Sequence, residues 1–153
     1  MWGTVLKRDL LGETREEDKF HAIKELQKYL KSEIEKQGEN VVIRNLDVSL
    51  IDNLSLLFDD CENIRTLDLS GWKTSGVKDM SAMFYGCQNL ESLDVTGWDT
   101  SNVKNMNCMF SFCGNIISLD LSGWDISKIK SMKHMFYYCP APYEVVDNKI
   151  IKE

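Results

Sequence analysis

Three stretches of this chain superpose without a gap at a spacing of 26 residues: Leu67 to Val77, Leu93 to Val103 and Leu119 to Ile129. Each carries Leu-Asp-(Leu/Val)-(Ser/Thr)-Gly-Trp at its start and runs on into Met-x-x-Met-Phe-x-x-Cys. The second motif falls at Met80, Met83, Phe84 and Cys87, at Met106, Met109, Phe110 and Cys113, and at Met132, Met135, Phe136 and Cys139. A degenerate earlier copy keeps the register. Val41, Ile43 and Leu46 stand in the slots of Leu67, Leu69 and Trp72, and Ile51, Leu54, Leu57, Phe58 and Cys61 in those of Val77, Met80, Met83, Phe84 and Cys87. A truncated copy after Cys139 would put Val145 in the leucine slot.

A period in the twenties is that of leucine-rich repeats, whose units bury their apolar faces only by stacking. Leu67 and Leu69 alternate as a short strand does, with both side chains inward. Gly71 suits a sharp turn after the strand. Val77, Met80, Met83, Phe84 and Cys87 then recur at three- and four-residue steps, which predicts one or two helical turns. Thr74 and Ser75 stand where a capping hydroxyl would start them, and Gly86 where they would end. The expected fold class is α/β: a right-handed leucine-rich-repeat solenoid, with a short parallel sheet on one side and short helices on the other.

The expected domains are an N-terminal arm and capping helix at 1–40 and a solenoid of four units plus a truncated C-terminal cap at 41–153. Glu16 to Gln37 reads as an amphipathic helix with Phe20, Ile23, Leu26, Leu30 and Ile34 on one side, ended by Gly38 and Asn40. Such a lid covers the open end of a stack. Pro140 and Pro142 stop the repeat, and Tyr143 to Ile151 could pair as a final edge strand. For Met1 to Thr14, packing of Trp2, Leu6, Leu10 and Leu11 on the lid and a free arm are both open.

A net charge of −6 argues against nucleic acid and anionic membranes as partners and leaves basic proteins open. No apolar run approaches the roughly 20 residues of a membrane span. The first ten residues lack the order of a signal peptide, so a cytoplasmic protein is expected unless a leader was trimmed. In that compartment five cysteines read as reduced thiols.

The consensus Leu-Asp-Leu-Ser-Gly-Trp-Asp-x-Ser-x-Val-x-x-Met-x-x-Met-Phe-x-x-Cys resembles the BspA-like leucine-rich repeats, the 26-residue repeat of bacterial surface proteins. The likeness covers Val41 to Cys139, and the helix ending Ile34 to Asn40 is similar to the segment that often precedes such repeats. The resemblance implies a binding or adhesion scaffold with no catalytic residues to carry over. The chain departs from it in its shortness and in showing no secretion signal, which favours an interaction protein inside the cell, encoded by a phage or mobile element.

Each distinctive row has a structural reading beside a functional one. Trp72, Trp98 and Trp124 follow the strand turn and read as core, since Leu46 fills the same slot. The six methionines after Met1 read as core filling rather than a soft-metal site. Cys61, Cys87, Cys113 and Cys139 form a row within disulfide reach of one another, and buried reduced thiols are the expectation. Cys108 and His134 share a slot but lack the third and fourth ligands of a zinc site.

Asp68, Asp94 and Asp120 form an outward row on the sheet, with Val42 before it and Val146 after. Hydroxyl rows flank it: Thr66, Ser92 and Ser118 on one side, Ser70, Thr96 and Ser122 on the other. Carboxylates about 5 Å apart repel by roughly 1 kcal/mol in water. A basic partner would relieve that; hydrogen bonds to the hydroxyls are the structural alternative. Tyr85, Phe112, Tyr137 and Tyr138 cluster after the second motif, either as interface anchors or as loop packing. Lys128, Lys130, Lys133 and His134 form a basic flank that reads as solvated.

No phosphate loop, nucleophile elbow or zinc-protease motif is present, and His21 and His134 are the only histidines. The expected function is therefore non-enzymatic, without cofactor or metal. It is protein binding through the exposed sheet face and adjoining loops, with Asp68, Asp94, Asp120, Tyr85, Phe112 and Tyr138 as candidate contacts. Two alternatives remain: an acidic inhibitor that mimics nucleic acid and blocks a host-defence or nucleic-acid enzyme, and a fragment of a surface adhesin.

Overall fold

The 26-residue period becomes hydrogen-bond register. In the computed structural model, which describes residues 16–140, 143–146 and 149–152, helix α1 (Glu16–Gln37) precedes strands β1 (Asn40–Val42), β2 (Thr66–Asp68), β3 (Ser92–Asp94) and β4 (Ser118–Leu119). These form one parallel sheet in chain order. Val41 pairs with Leu67, Leu67 with Leu93 and Leu93 with Leu119, each one period on. A second set of parallel bridges, Asn53 to Asp79 to Asn105 to Ser131, repeats that step on another side of the unit. The expectations for Trp2, Leu6, Leu10, Leu11 and Pro142 lie outside the described residues.

Stacking in register puts like on like. Phe58, Phe84, Phe110 and Phe136 form a file with ring centroids 5.5, 5.6 and 5.7 Å apart and planes within 8°. Trp72, Trp98 and Trp124 make a second file at 5.8 and 6.2 Å. All three tryptophans and Met80, Met83, Met106, Met109 and Met135 are buried, as the inward reading requires, and Met132 is half-buried. The cysteine row bonds across units: the Cys87 thiol donates to the Phe58 carbonyl at 3.0 Å and Cys113 to that of Phe84 at 3.1 Å. Every described cysteine is unbridged, but Cys61 and Cys139, at the ends of the row, are only half-buried.

The Met-x-x-Met-Phe-x-x-Cys segments are not helices. They run as successive four-residue turns. Met83, Tyr85 and Cys87 donate backbone N–H groups to carbonyls three residues back, at 3.2–3.3 Å. Met80, Ala82, Phe84 and Gly86 instead donate to Asn105, Asn107, Met109 and Ser111 of the next unit, at 2.8–3.0 Å. A left-handed residue every fourth position redirects the chain: Leu56 and Asp60, Ala82 and Gly86, Cys108 and Phe112, His134 and Tyr138. A three-and-four spacing of apolar residues serves such turns as well as it serves a helix, so periodicity alone could not separate them. The expected helix caps have another role. Thr74 Oγ1 donates to the Asp99 carbonyl and accepts from its N–H, both at 2.9 Å, linking units.

Both ends are closed. Helix α1 buries Ala22, Leu26 and Leu30, and Gly38 ends it with φ 73°, its N–H bonded to the Ile34 carbonyl. Phe20 does not join that face; it is 65% exposed beneath the Lys24 ammonium. At 100° per residue it lies about 120° around the helix from Leu26. The Gln37 amide donates to the Val42 carbonyl and accepts from its N–H, occupying the free edge of β1 as a strand would. At the far end, β5 (Tyr143–Val146) pairs antiparallel with β6 (Lys149–Lys152). It does not extend the parallel sheet, so Val145 and Val146 do not occupy the slots that the repeat register assigned them. The hairpin is held by Tyr143, whose ring stacks on Phe136 at 4.5 Å and whose hydroxyl donates to the Leu119 carbonyl.

Candidate functional site

The aspartate row faces outward, and its members differ. Asp68 pairs with Asp94 across β2 and β3, whereas Asp120 lies one residue beyond the last pair of β3 and β4. Each uses Oδ1 to cap its own turn, accepting the N–H of Ser70, Thr96 or Ser122 at 2.9–3.0 Å. The same Asx turn recurs at Asp79, Asp99 and Asp125. Much of the aspartate in the repeat is therefore turn chemistry, made chiefly with backbone N–H groups rather than with the flanking hydroxyls.

The second oxygen distinguishes the rows. Arg44 donates to Asp68 Oδ2 through Nε at 2.7 Å and Nη2 at 2.5 Å, and this guanidinium holds the Asp68 pKa down to about 2. Arg44 occupies the register slot of Ser70, Thr96 and Ser122, so the degenerate first unit carries a built-in counterion for its neighbour. That departure from consensus was the available signal, and the sequence reading missed it. In the slot just before the strands, Arg65 pairs with Glu91 at 2.8 Å. Among the described residues no comparable cation meets Asp94 or Asp120. The Ser122 hydroxyl and N–H lower the Asp120 pKa, and those of Ser101 lower that of Asp99, keeping both anionic at neutral pH.

Beyond Asp94 the third and fourth units part locally. Ile43 and Leu69 donate to the carbonyls of Asp68 and Asp94, and Asn45 and Gly71 to those of Ser70 and Thr96. Among the described residues the next steps, Val95 to Asp120 and Gly97 to Ser122, are not made. A cleft of about 380 Å³ lies there, lined by Val95 to Asp99, Asp120 and Ser122 to Trp124. The indoles report the change. Trp72 and Trp98 donate to the Ile43 and Leu69 carbonyls, while the buried Trp124 Nε1 has no acceptor among the described residues.

The aromatic candidates do come together. Phe112 meets Tyr85 edge-on at 5.4 Å, Tyr137 edge-on at 5.6 Å, and stacks on Tyr138 at 5.2 Å. Phe112, Tyr137 and Tyr138 remain 37%, 50% and 68% exposed. Phe112 and Tyr138 also adopt φ of 60° and 53° in the slot that Gly86 fills, a conformation costing a side chain about 1–2 kcal/mol. Cys108 and His134 share a left-handed turn position, with φ of 56° in both, and among the described residues no group of three or more metal-ligating side chains is assembled. No described helix is long and apolar enough to cross a membrane.

No curated protein and no solved structure matches this chain. One family model does, over residues 24–148, from within α1 through all four units to the C-terminal hairpin, and it is described as a Mycoplasma protein of unknown function, DUF285. On that match, across most of its length, the chain belongs to the DUF285 family.

Proposed function

We propose that this protein is a non-enzymatic protein-binding module, a right-handed leucine-rich-repeat solenoid of the BspA-like kind that receives a basic partner on its sheet face. Registered stacking of four 26-residue units supports the solenoid, and parallel crossovers favour the right hand. One observation carries the binding reading: Asp68 Oδ2 holds the Arg44 guanidinium, while among the described residues no such cation meets the carboxylates of Asp94 and Asp120. An arginine or lysine from a partner would repeat the Arg44 contact one and two units on. The Arg44 guanidinium on that face weighs against mimicry of a uniformly anionic nucleic acid.

The test is retention of proteins from a lysate of the native cell by wild type and by Asp94→Asn/Asp120→Asn. Asn keeps the turn-capping oxygen and removes the charge. We expect a discrete basic partner on the wild type that is lost from the variant at an unchanged unfolding midpoint. Equal retention would reject the sheet face as the binding surface.

A further inference from the structure

The face built from the turns carries a second charge pattern. Lys78, Lys104 and Lys130 occupy one slot in successive units, and their backbones are bonded in series: Lys104 N–H to the Lys78 carbonyl and Lys130 N–H to that of Lys104, both at 2.8 Å. Neighbouring backbones in such a ladder lie about 4.8 Å apart. All three side chains are exposed, and among the described residues none meets a carboxylate. The slot before them holds Asp52, which is paired with Lys19 at 2.8 Å. Like charges stacked at this spacing repel, and an anionic partner would relieve them.

The lysine file continues round unit four into the aromatic cluster. Lys133 and His134 are exposed, the His134 ring meets Tyr137 at 5.6 Å, and Tyr137 leads to Tyr138 and Phe112. In unit one the slots matching Tyr137 and Tyr138 hold Asp59 and Asp60 instead. The face thus runs from acidic at unit one to basic and aromatic at unit four.

We propose that this turn face docks an acidic, extended polypeptide segment, its carboxylates over Lys78, Lys104 and Lys130 and its apolar side chains against Phe112, Tyr137 and Tyr138. Charge complementarity selects the acidic residues. The bulky aromatics at Phe112 and Tyr138, kept in a backbone conformation where Gly86 would be unstrained, mark the apolar subsite. The net charge of −6 repels an extended polyanion at long range, which favours a short segment read at contact over nucleic acid. The acidic end at unit one sets the segment's polarity.

Fluorescence anisotropy with a fluorescein-labelled peptide alternating Glu with Leu tests this on the full chain, with oligothymidylate of equal charge as competitor. We expect saturable binding that weakens with salt and falls about tenfold or more in Lys104→Gln/Lys130→Gln, a change well above measurement error. Binding should survive in Lys104→Arg/Lys130→Arg, fall in Phe112→Gly/Tyr138→Gly, and hold in Asp94→Asn/Asp120→Asn. No binding to wild type, undiminished binding to the Gln pair, or oligothymidylate bound as tightly as the peptide would each overturn it. Because the Asn pair disables only the sheet face, failure here is distinguishable from failure there.

Discussion

The Trp98 indole reaches back one unit and donates to the Leu69 carbonyl at 2.9 Å, while Trp124, one unit on, has no acceptor for the same N–H among the described residues. Removing a satisfied buried donor and removing an orphaned one should therefore differ. Trp98→Phe loses area and a hydrogen bond and leaves the Leu69 carbonyl without that donor, at a cost of about 2–4 kcal/mol. Trp124→Phe loses similar area but sheds an unsatisfied group, so we expect a cost about 1–2 kcal/mol smaller. Urea midpoints of the two variants decide it; a larger loss at Trp124 would contradict the assigned hydrogen bonding.

The Arg44–Asp68 pair predicts an acid dependence. The folded Asp68 pKa of about 2 lies below the ordinary 3.8, so the pair's stabilisation is fully present above the ordinary value. It is lost as pH falls through about 4 toward 2. Both groups are partly solvated, which keeps the contribution small. In Asp68→Asn the urea midpoint should drop at neutral pH and lose that part of its acid slope. An unchanged acid slope in Asp68→Asn would contradict the pairing.

How much of this was legible in the sequence follows from what repeats and what does not. Stacked Leu67, Leu93 and Leu119 and the tryptophan file were readable because identical residues in register need identical surroundings, and the helix ended by Gly38 because its apolar spacing and glycine stop are local signals. The turn segments were misread because inward residues such as Met80, Met83, Phe84 and Cys87 fit helix and turn spacing equally. Only backbone N–H direction separates the two, and no side chain encodes it. Arg44 and the lysine file escaped because consensus draws the eye to shared residues, while the charges that pattern the faces sit at variable slots. The closing hairpin needed the contact of Phe136 with Tyr143, a residue outside the repeat.

Thiol reactivity should sort by place in the row. Burial pushes the Cys113 thiol up to about 12 and Cys87 higher still, and each donates to a carbonyl of the unit before. Cys61, half-buried at the end of the row, is pushed up to about 11. Since thiolate is the reacting form, native protein at pH 8 should leave Cys87 and Cys113 unlabelled until denatured. Peptide mapping after timed alkylation checks this, and prompt labelling of either would place the row outside the core.

Tyr138→Gly separates stability from recognition. Tyr138 is 68% exposed at φ 53°, so glycine relieves backbone strain and sacrifices little burial. We expect the unfolding free energy to hold or rise by about 1 kcal/mol, while affinity for the Glu-Leu peptide falls. A loss of more than about 2 kcal/mol would instead make the aromatic cluster part of the core packing.

The outward carboxylates of Asp94 and Asp120 can be located as a binding surface by backbone-amide NMR during titration with an arginine-rich peptide. The Asp94, Thr96, Asp120 and Ser122 amides should shift together and saturate, because each carboxylate oxygen that caps a turn shares its charge with the one facing the ligand. The Asp94→Asn/Asp120→Asn variant should lose those shifts while its remaining spectrum stays in place. Shifts confined to the acidic residues of α1 and the first unit, or a titration unchanged in the Asn variant, would contradict a sheet-face site.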